Sequence, residues 1–126
     1  MKCNITKYIK YVDLSFSALQ QIDEEVQGRQ GESVQLRCNV SGHPSVLMWD
    51  KEDDEYKKQT ENKLLLACGE KTSADERFSM DENYTLTIGN LQISDAGIYI
   101  CHFIQTDSSS RQTFLKLDII GKLHIQ

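Results

Sequence analysis

The stretch Asp95-Ala-Gly-Ile-Tyr-Ile-Cys101 decides the fold of this chain, and the residues around it alternate between apolar and polar over short lengths. In residues 83–89, for example, Tyr84, Leu86 and Ile88 share one face of a strand. Many short strands separated by turns predict an all-β sandwich or barrel. The predicted strands are residues 31–40, 46–50, 63–68, 77–80, 83–89, 97–104 and 111–120, with a helical turn at 91–97.

The spacing of four residues around this stretch is more specific. Cys38 and Cys101 are 63 residues apart, Trp49 follows the first cysteine by 11, and Tyr99 precedes the second by two. This arrangement resembles the immunoglobulin domain, a sandwich of two sheets. The resemblance implies a Cys38–Cys101 disulfide, Trp49 packed on it, and a corner formed by Tyr99. It also implies that Arg77 pairs with Asp95, and the 27 residues between Trp49 and Arg77 leave room for variable-type C′ and C″ strands.

A narrower resemblance covers residues 31–120. The segments 46–49 (VLMW), 65–69 (LLACG), 75–79 (DERFS), 83–88 (NYTLTI) and 91–101 (LQISDAGIYIC) are similar to the first domain of the lachesin, klingon and IgLON cell-adhesion proteins and the related insect Dpr-interacting receptors. Members carry several such domains and a membrane anchor, and they pair through one sheet of the first domain. The acidic insertion at residues 50–61 and Cys68 depart from that pattern. With one domain and no anchor, we expect either a fragment or a different, soluble protein.

Strand alternation predicts the binding surface. If Tyr99, Cys101 and Phe103 point into the core, their neighbours on the same strand point outward. The predicted partner-binding residues, on the outer face of the C, F and G strands, are Val46, Met48, Ile100, His102, Ile104 and Phe114. A contiguous apolar patch with a polar rim is typical of a protein interface. The alternative is that long side chains or the N-terminal arm cover this face.

Composition and motifs exclude several functions. A net charge of −5 removes the attraction to phosphate on which nucleic-acid binders depend. The three histidines are far apart in the sequence, and no nucleophile, phosphate-loop or zinc-protease motif appears. We therefore predict no enzyme activity, no small-molecule substrate, no cofactor and no metal, although the carboxylates of residues 52–55 leave room for weak calcium binding.

The remaining predictions concern processing and context. We divide the chain into an arm or leader remnant (1–21), an immunoglobulin-like domain (22–121) and a tail (122–126). Three N-x-S/T triplets, at Asn4, Asn39 and Asn83, indicate a glycosylated protein that is secreted or at the cell surface. Cys3 and Cys68 could bridge each other, pair between chains or stay free.

These observations predict an extracellular recognition domain. We expect it to pair with itself or with a related immunoglobulin receptor through its outer sheet face, and to meet a membrane only through an anchor absent from this chain. The alternatives are a structural immunoglobulin module, extracellular or intracellular, and a soluble secreted binding protein that does not self-associate.

Overall fold

Nine strands form two sheets in the computed structural model of this chain, which describes residues 21–40, 44, 46–52, 63–67, 70–71, 75–105, 107 and 109–121. The elements are β1 (Glu24–Arg29), β2 (Val34–Leu36), β3 (Val46–Lys51), β4 (Lys63–Ala67), β5 (Glu70–Lys71), β6 (Phe78–Met80), β7 (Leu86–Ile88), a 3-10 turn (Ile93–Asp95), β8 (Gly97–Ile104) and β9 (Ser110–Ile120). The predicted all-β sandwich is confirmed.

The larger sheet has six strands in the order β1-β9-β8-β3-β4-β5. Strands β4 and β5 extend it beyond β3, and they are the extra C′ and C″ strands that the length between Trp49 and Arg77 predicts. All neighbouring strands are antiparallel except β1, which runs parallel to the second half of β9. Of the strands that the structure describes, only β8 therefore lies beside the first half of β9.

The smaller sheet has three antiparallel strands in the order β2-β7-β6. Its buried residues Leu36, Leu86 and Phe78 pack against those of the larger sheet, such as Trp49 and Leu117. Along β9 the alternation is clear, because Leu115 and Leu117 are fully buried while Lys116 and Asp118 between them are exposed. The core between the sheets thus follows from the two-residue period of each strand.

Several element boundaries differ from the sequence prediction. The strand predicted over residues 83–89 is only Leu86–Ile88, because Tyr84 has a left-handed φ of 66° that turns the chain between β6 and β7. The strand predicted over 31–40 is limited to Val34–Leu36. Sequence analysis missed β1 altogether, because its sequence EEVQGR is polar and carries no alternation of apolar residues.

Candidate partner-binding face

A disulfide joins the two sheets at the centre of the core. Cys38 follows β2, Cys101 lies in β8, and their Cα atoms are 5.9 Å apart, which confirms the predicted pairing. Trp49 is completely buried in the same cluster. Its indole Nε1 donates a hydrogen bond to the carbonyl oxygen of Tyr84 at 3.2 Å, so the turn before β7 satisfies the one polar atom of this side chain.

Arg77 and Asp95 form a two-pronged ion pair at one end of the sandwich. Arg77 Nη1 and Nη2 donate to the two carboxylate oxygens of Asp95 at 2.7 and 2.9 Å. Arg77 Nε and Nη2 also donate to Asp75, and Nη1 reaches the carbonyl oxygens of Gly89 and Asn90. The guanidinium therefore links the segment before β6 to residues 89–90, which follow β7, and to the 3-10 turn that ends at Asp95. This is a scaffold role.

The carboxyl of Asp95 has a pKa below its ordinary value. Burial by itself raises this pKa, but the hydrogen bonds from Arg77 and from the Gln92 N–H, with the positive charge of Arg77, outweigh burial. Hydrogen bonds to Asp95 and Asp75 raise the pKa of Arg77 further above its ordinary range. Both side chains are thus held in their charged forms.

Tyr99 is fully buried beside this ion pair, and its hydroxyl donates to the carbonyl oxygen of Asp95 at 2.6 Å. This bond closes the corner where the chain enters β8. The 3-10 turn before it is capped reciprocally by Gln92 and Asp95. The outer face of the larger sheet is the face opposite the core.

The outer face carries the predicted partner-binding residues, but most of them are buried. Trp49, Tyr99 and Cys101 belong to the core cluster, whereas their strand neighbours do not. The expectation that these neighbours are exposed is wrong: the exposed fraction is 3% for Val46, 1% for Met48, 2% for Ile100, 3% for His102 and 6% for Ile104, and Phe114 is half-buried.

The physical reason is that strand alternation fixes the direction of a side chain and says nothing of what lies over it. A residue in the middle of a sheet face reaches such low exposure only when other atoms of the chain cover that face. The smaller sheet packs on the opposite face and does not supply this cover. The burial agrees with the alternative expectation of a covered face. Of the arm proposed there, residues 1–21, all but Gln21 lie outside the described residues.

A buried polar pair lies on this outer face, and sequence analysis missed it. His102 Nε2 is 2.9 Å from Asp50 Oδ2, and the two side chains are 4% and 7% exposed. The two residues sit diagonally across β3 and β8, because Met48 is the residue opposite His102. The available signal was that Asp50 has the same outward parity as Met48 and lies two residues further along the strand.

The half of the outer face nearest β9 is open. A pocket of about 310 Å³ crosses the last residues of β8 and the first residues of β9. The described residues lining it are His102, Phe103, Ile104, Ser110, Arg111, Gln112 and Phe114. Ser110, Arg111 and Gln112 are exposed, and the half-buried Phe114 lies further along the strand. Three of the six predicted residues, His102, Ile104 and Phe114, are therefore brought together at a surface that solvent reaches.

The two described acceptor asparagines are not among the described residues that line this pocket. Asn39 lies in the connection from β2 to β3, which joins the two sheets, and Asn83 lies in the turn between β6 and β7 of the smaller sheet. Both are exposed. Asn4, Cys3, Cys68 and most of the acidic loop after Glu52 lie outside the described residues.

Neither a metal-binding cluster nor a membrane-spanning helix is found among the described residues. Within the described ranges, no three His, Cys, Asp or Glu side chains come together in a way that could hold a metal ion. In the same part of the chain, no helix has the length and apolar character needed to cross a membrane.

The fold and the site together define a class. The model of the immunoglobulin V-set domain family matches residues 21–120 of the chain. The chain therefore belongs to the immunoglobulin V-set family. Its two sheets, its C′ and C″ strands and its central disulfide are those of that class.

Curated relatives match a single domain of longer proteins. The chain is 31% identical over 93 residues to "V-set and immunoglobulin domain-containing protein 10" of Xenopus laevis, covering 74% of this chain and 16% of that protein. It is 30% identical over 80 residues to "Roundabout homolog 1" of Homo sapiens and of Mus musculus, covering 63% of this chain and 4% of those proteins. The chain thus spans less than a fifth of the length of these relatives.

Solved structures show the same fold. The first ig-like domain of human CD48 antigen superposes with a TM-score of 0.68 at 15% identity, covering 90% of this chain and 93% of that domain. A chain in the crystal structure of Dpr11 IG1 bound to DIP-gamma IG+IG2 superposes with a TM-score of 0.59 at 22% identity. That match covers 76% of this chain and 97% of that one. The narrower resemblance to the lachesin, klingon and IgLON proteins stays a prediction.

Proposed function

We propose that this chain is an extracellular recognition domain that pairs with an immunoglobulin-domain protein through the β9 side of the outer face. The observation that carries the proposal is the pocket across β8 and β9, which combines the half-buried Phe114 and the buried Ile104 with exposed polar residues. Function in this fold depends on such a site and not on the fold itself.

The chemistry of this surface suits a protein partner. Phe114 supplies an aromatic group of the kind enriched at interface centres, and Gln112, Ser110 and Lys116 around it are exposed polar residues of the kind found at interface rims. The proposed surface is shifted from the one that the sequence predicts. Val46, Met48 and Ile100 are buried and are not proposed as contacts.

The positions of the two exposed N-x-S/T asparagines support an extracellular setting and this choice of face. Asn39 and Asn83 are exposed and are not among the described residues that line the pocket, so neither acceptor side chain is part of the proposed contact surface. The structure of Dpr11 IG1 bound to DIP-gamma IG+IG2 offers an analogy at the level of the fold for pairing between immunoglobulin domains.

The test is the molar mass of the oxidised protein in solution, measured by light scattering from low to high micromolar concentration. Two variants form a matched pair: Gln112→Arg places a new charge on the proposed surface, and Gln35→Arg places the same charge on an exposed position of the smaller sheet. We expect a concentration-dependent dimer that Gln112→Arg abolishes and Gln35→Arg leaves unchanged.

Other results would contradict parts of the proposal. A dimer unaffected by Gln112→Arg would mean that pairing uses another surface. A monomer at every concentration would rule out self-pairing, and binding to a panel of extracellular immunoglobulin domains would then be measured with the same two variants. Failure to bind any member of that panel would favour a purely structural module.

A further inference from the structure

Among the described strands, only β8 lies beside the first half of β9, so the other edge of this segment has no described partner. β9 pairs with β8 along residues 110–117, but it pairs with β1 only along residues 115–120. Beside residues 110–113, the described part of the chain supplies no second strand. Ser110, Arg111 and Gln112 are exposed, so this edge is accessible.

The hydrogen bonds of Phe114 reveal which backbone groups face that edge. Its N–H donates to Asp23 Oδ2 at 2.8 Å, and its carbonyl oxygen accepts from the Asp23 N–H at 2.9 Å. In an antiparallel pair, every second residue directs both of its backbone groups away from the partner strand. Phe114 is such a residue, and so are Gln112 and Ser110 by the two-residue period. Their N–H and C=O groups therefore point outward, in position to bond an added strand.

From this edge and the pocket beside it, we propose that residues 110–113 of β9 bind an extended peptide segment of a protein partner by antiparallel strand addition, in which the peptide residue opposite Gln112 exchanges both of its backbone hydrogen bonds with Gln112. The inference rests on the proposed function, because it names the part of the partner that reaches this surface. Strand addition obtains affinity from backbone hydrogen bonds and specificity from pockets that receive alternate side chains.

The flanking side chains define the sequence that the segment carries. A peptide residue opposite Gln112 places its side chain on the outer face, diagonal to Phe114 and within reach of a long side chain. A large apolar residue fits there, at the mouth of the pocket. The next peptide residue points to the opposite face, which is the side on which Arg111 projects from β9. An acidic residue at that position complements the guanidinium charge, so the expected pattern is a large apolar residue next to an acidic one.

The test uses a fluorescent, end-blocked peptide, acetyl-Lys-Thr-Thr-Leu-Glu-Thr-Thr-amide, titrated with the whole chain and followed by fluorescence anisotropy. A second peptide carries an N-methyl group on the leucine nitrogen, which removes one backbone donor and leaves every side chain in place. We expect the N-methyl peptide to bind at least about fivefold more weakly, since one backbone hydrogen bond is lost and the methyl group obstructs strand pairing.

Matched variants of the protein test the same bond from the other side. Gln112→Pro removes the outward N–H without removing a bond to β8, and edge positions tolerate proline for this reason. Gln112→Ala keeps the N–H and loses the same side chain, so it measures what the side chain contributes. We expect Gln112→Pro to bind the peptide about fivefold or more weakly than Gln112→Ala. If Gln112→Pro does not fold, the N-methyl peptide with the natural chain decides the question.

A charge exchange tests the predicted sequence preference. Replacing the peptide glutamate with lysine should weaken binding, and Arg111→Glu should restore binding to that peptide.

Equal binding of the N-methyl and parent peptides, or no binding at about 1 mM protein, overturns the inference. Peptide binding without any immunoglobulin partner would leave this site standing and remove the proposed pairing, whereas pairing without peptide binding would do the reverse.

Discussion

At the scale of single residues, the charged group with the most contacts is Arg77. It bonds Asp95, Asp75 and two backbone carbonyl oxygens, although its side chain keeps 20% exposure. Asp95 is more buried, with 7% of its side chain exposed. Removing the arginine would leave a carboxylate in the sandwich without its counter-charge, and that is costlier than losing a pair of surface ions.

We predict that Arg77→Met lowers the free energy of unfolding by about 2–3 kcal/mol at pH 7. Because the folded-state pKa of Asp95 is lowered, its stabilising contribution is present above the unfolded value of about 3.9 and is lost as the pH falls through the lower folded value. In the variant, burial still raises the pKa of Asp95, and the hydrogen bond from the Gln92 N–H and the charge of Lys51 oppose it without the help of Arg77. The folded-state pKa of Asp95 is then higher than in the natural chain, so the difference in stability should shrink at pH 3.

Urea denaturation at pH 7 and pH 3 measures both free energies. Arg77→Lys, which keeps a positive charge but not the forked geometry, should lose less stability than Arg77→Met at pH 7. A loss of the same size at both pH values would contradict the electrostatic explanation and indicate lost packing of the arginine side chain instead.

At the scale of elements, β1 shows how a strand can form without an apolar pattern. Only Gly28 is buried in it and Val26 half-buried, because the strand borders the sheet and is bonded to β9 alone. A Cβ atom at Gly28 would lie 2.6 Å from Leu91 Cδ1, closer than packed carbon atoms approach. The glycine lets this edge strand lie close against the residue that opens the turn before β8.

We predict that Gly28→Ala lowers the free energy of unfolding by about 1–3 kcal/mol, because the buried Leu91 has to move. The control is Gly89→Ala, where the nearest atom to an added Cβ is the Arg77 carbonyl oxygen at an ordinary 3.9 Å. That change should be nearly neutral or slightly stabilising, since alanine reduces the freedom of the unfolded chain. Thermal unfolding of both variants measures the difference, and equal midpoints would show that the approach of β1 is looser than the structure has it.

At the scale of the whole molecule, the larger sheet is buried on both faces over β3 and β8, and open on one face along β9. Met48 is 1% exposed on the face away from the core, an exposure as low as that of core residues. Atoms other than those of the smaller sheet therefore cover the outer face over β3 and β8, and the recognition surface that we propose lies on the β9 side.

This architecture predicts that Met48→Ala is as destabilising as a core truncation, about 2–5 kcal/mol. Leu36→Ala provides the core reference, and Ile93→Ala provides the surface reference because Ile93 is 52% exposed. Free energies of unfolding from urea titration compare the three variants. If Met48→Ala costs as little as Ile93→Ala, the outer face is uncovered in solution, and the larger patch that the sequence predicts becomes available to a partner again.

The sequence by itself determined the parts of this protein that local period and fixed spacing encode. The alternation of apolar residues specified most of the described strands, though not β1, and the side of those strands that faces the core. The offsets of Cys38, Trp49, Tyr99 and Cys101 specified the immunoglobulin sandwich, because a disulfide between sheets and its neighbours occupy set places in such strands.

The tertiary structure alone decided what lies beside and above each strand. The burial of Met48 and Ile100, the diagonal contact of Asp50 with His102, and the parallel pairing of β1 with half of β9 all join segments far apart in the chain. No local pattern records such contacts. The direction of a side chain follows from its own strand, whereas the residues that bury the side chain belong to another part of the chain. For this reason the sequence predicts a partner surface that spans β3, β8 and β9, whereas the surface that we propose lies on the β9 side of the same face.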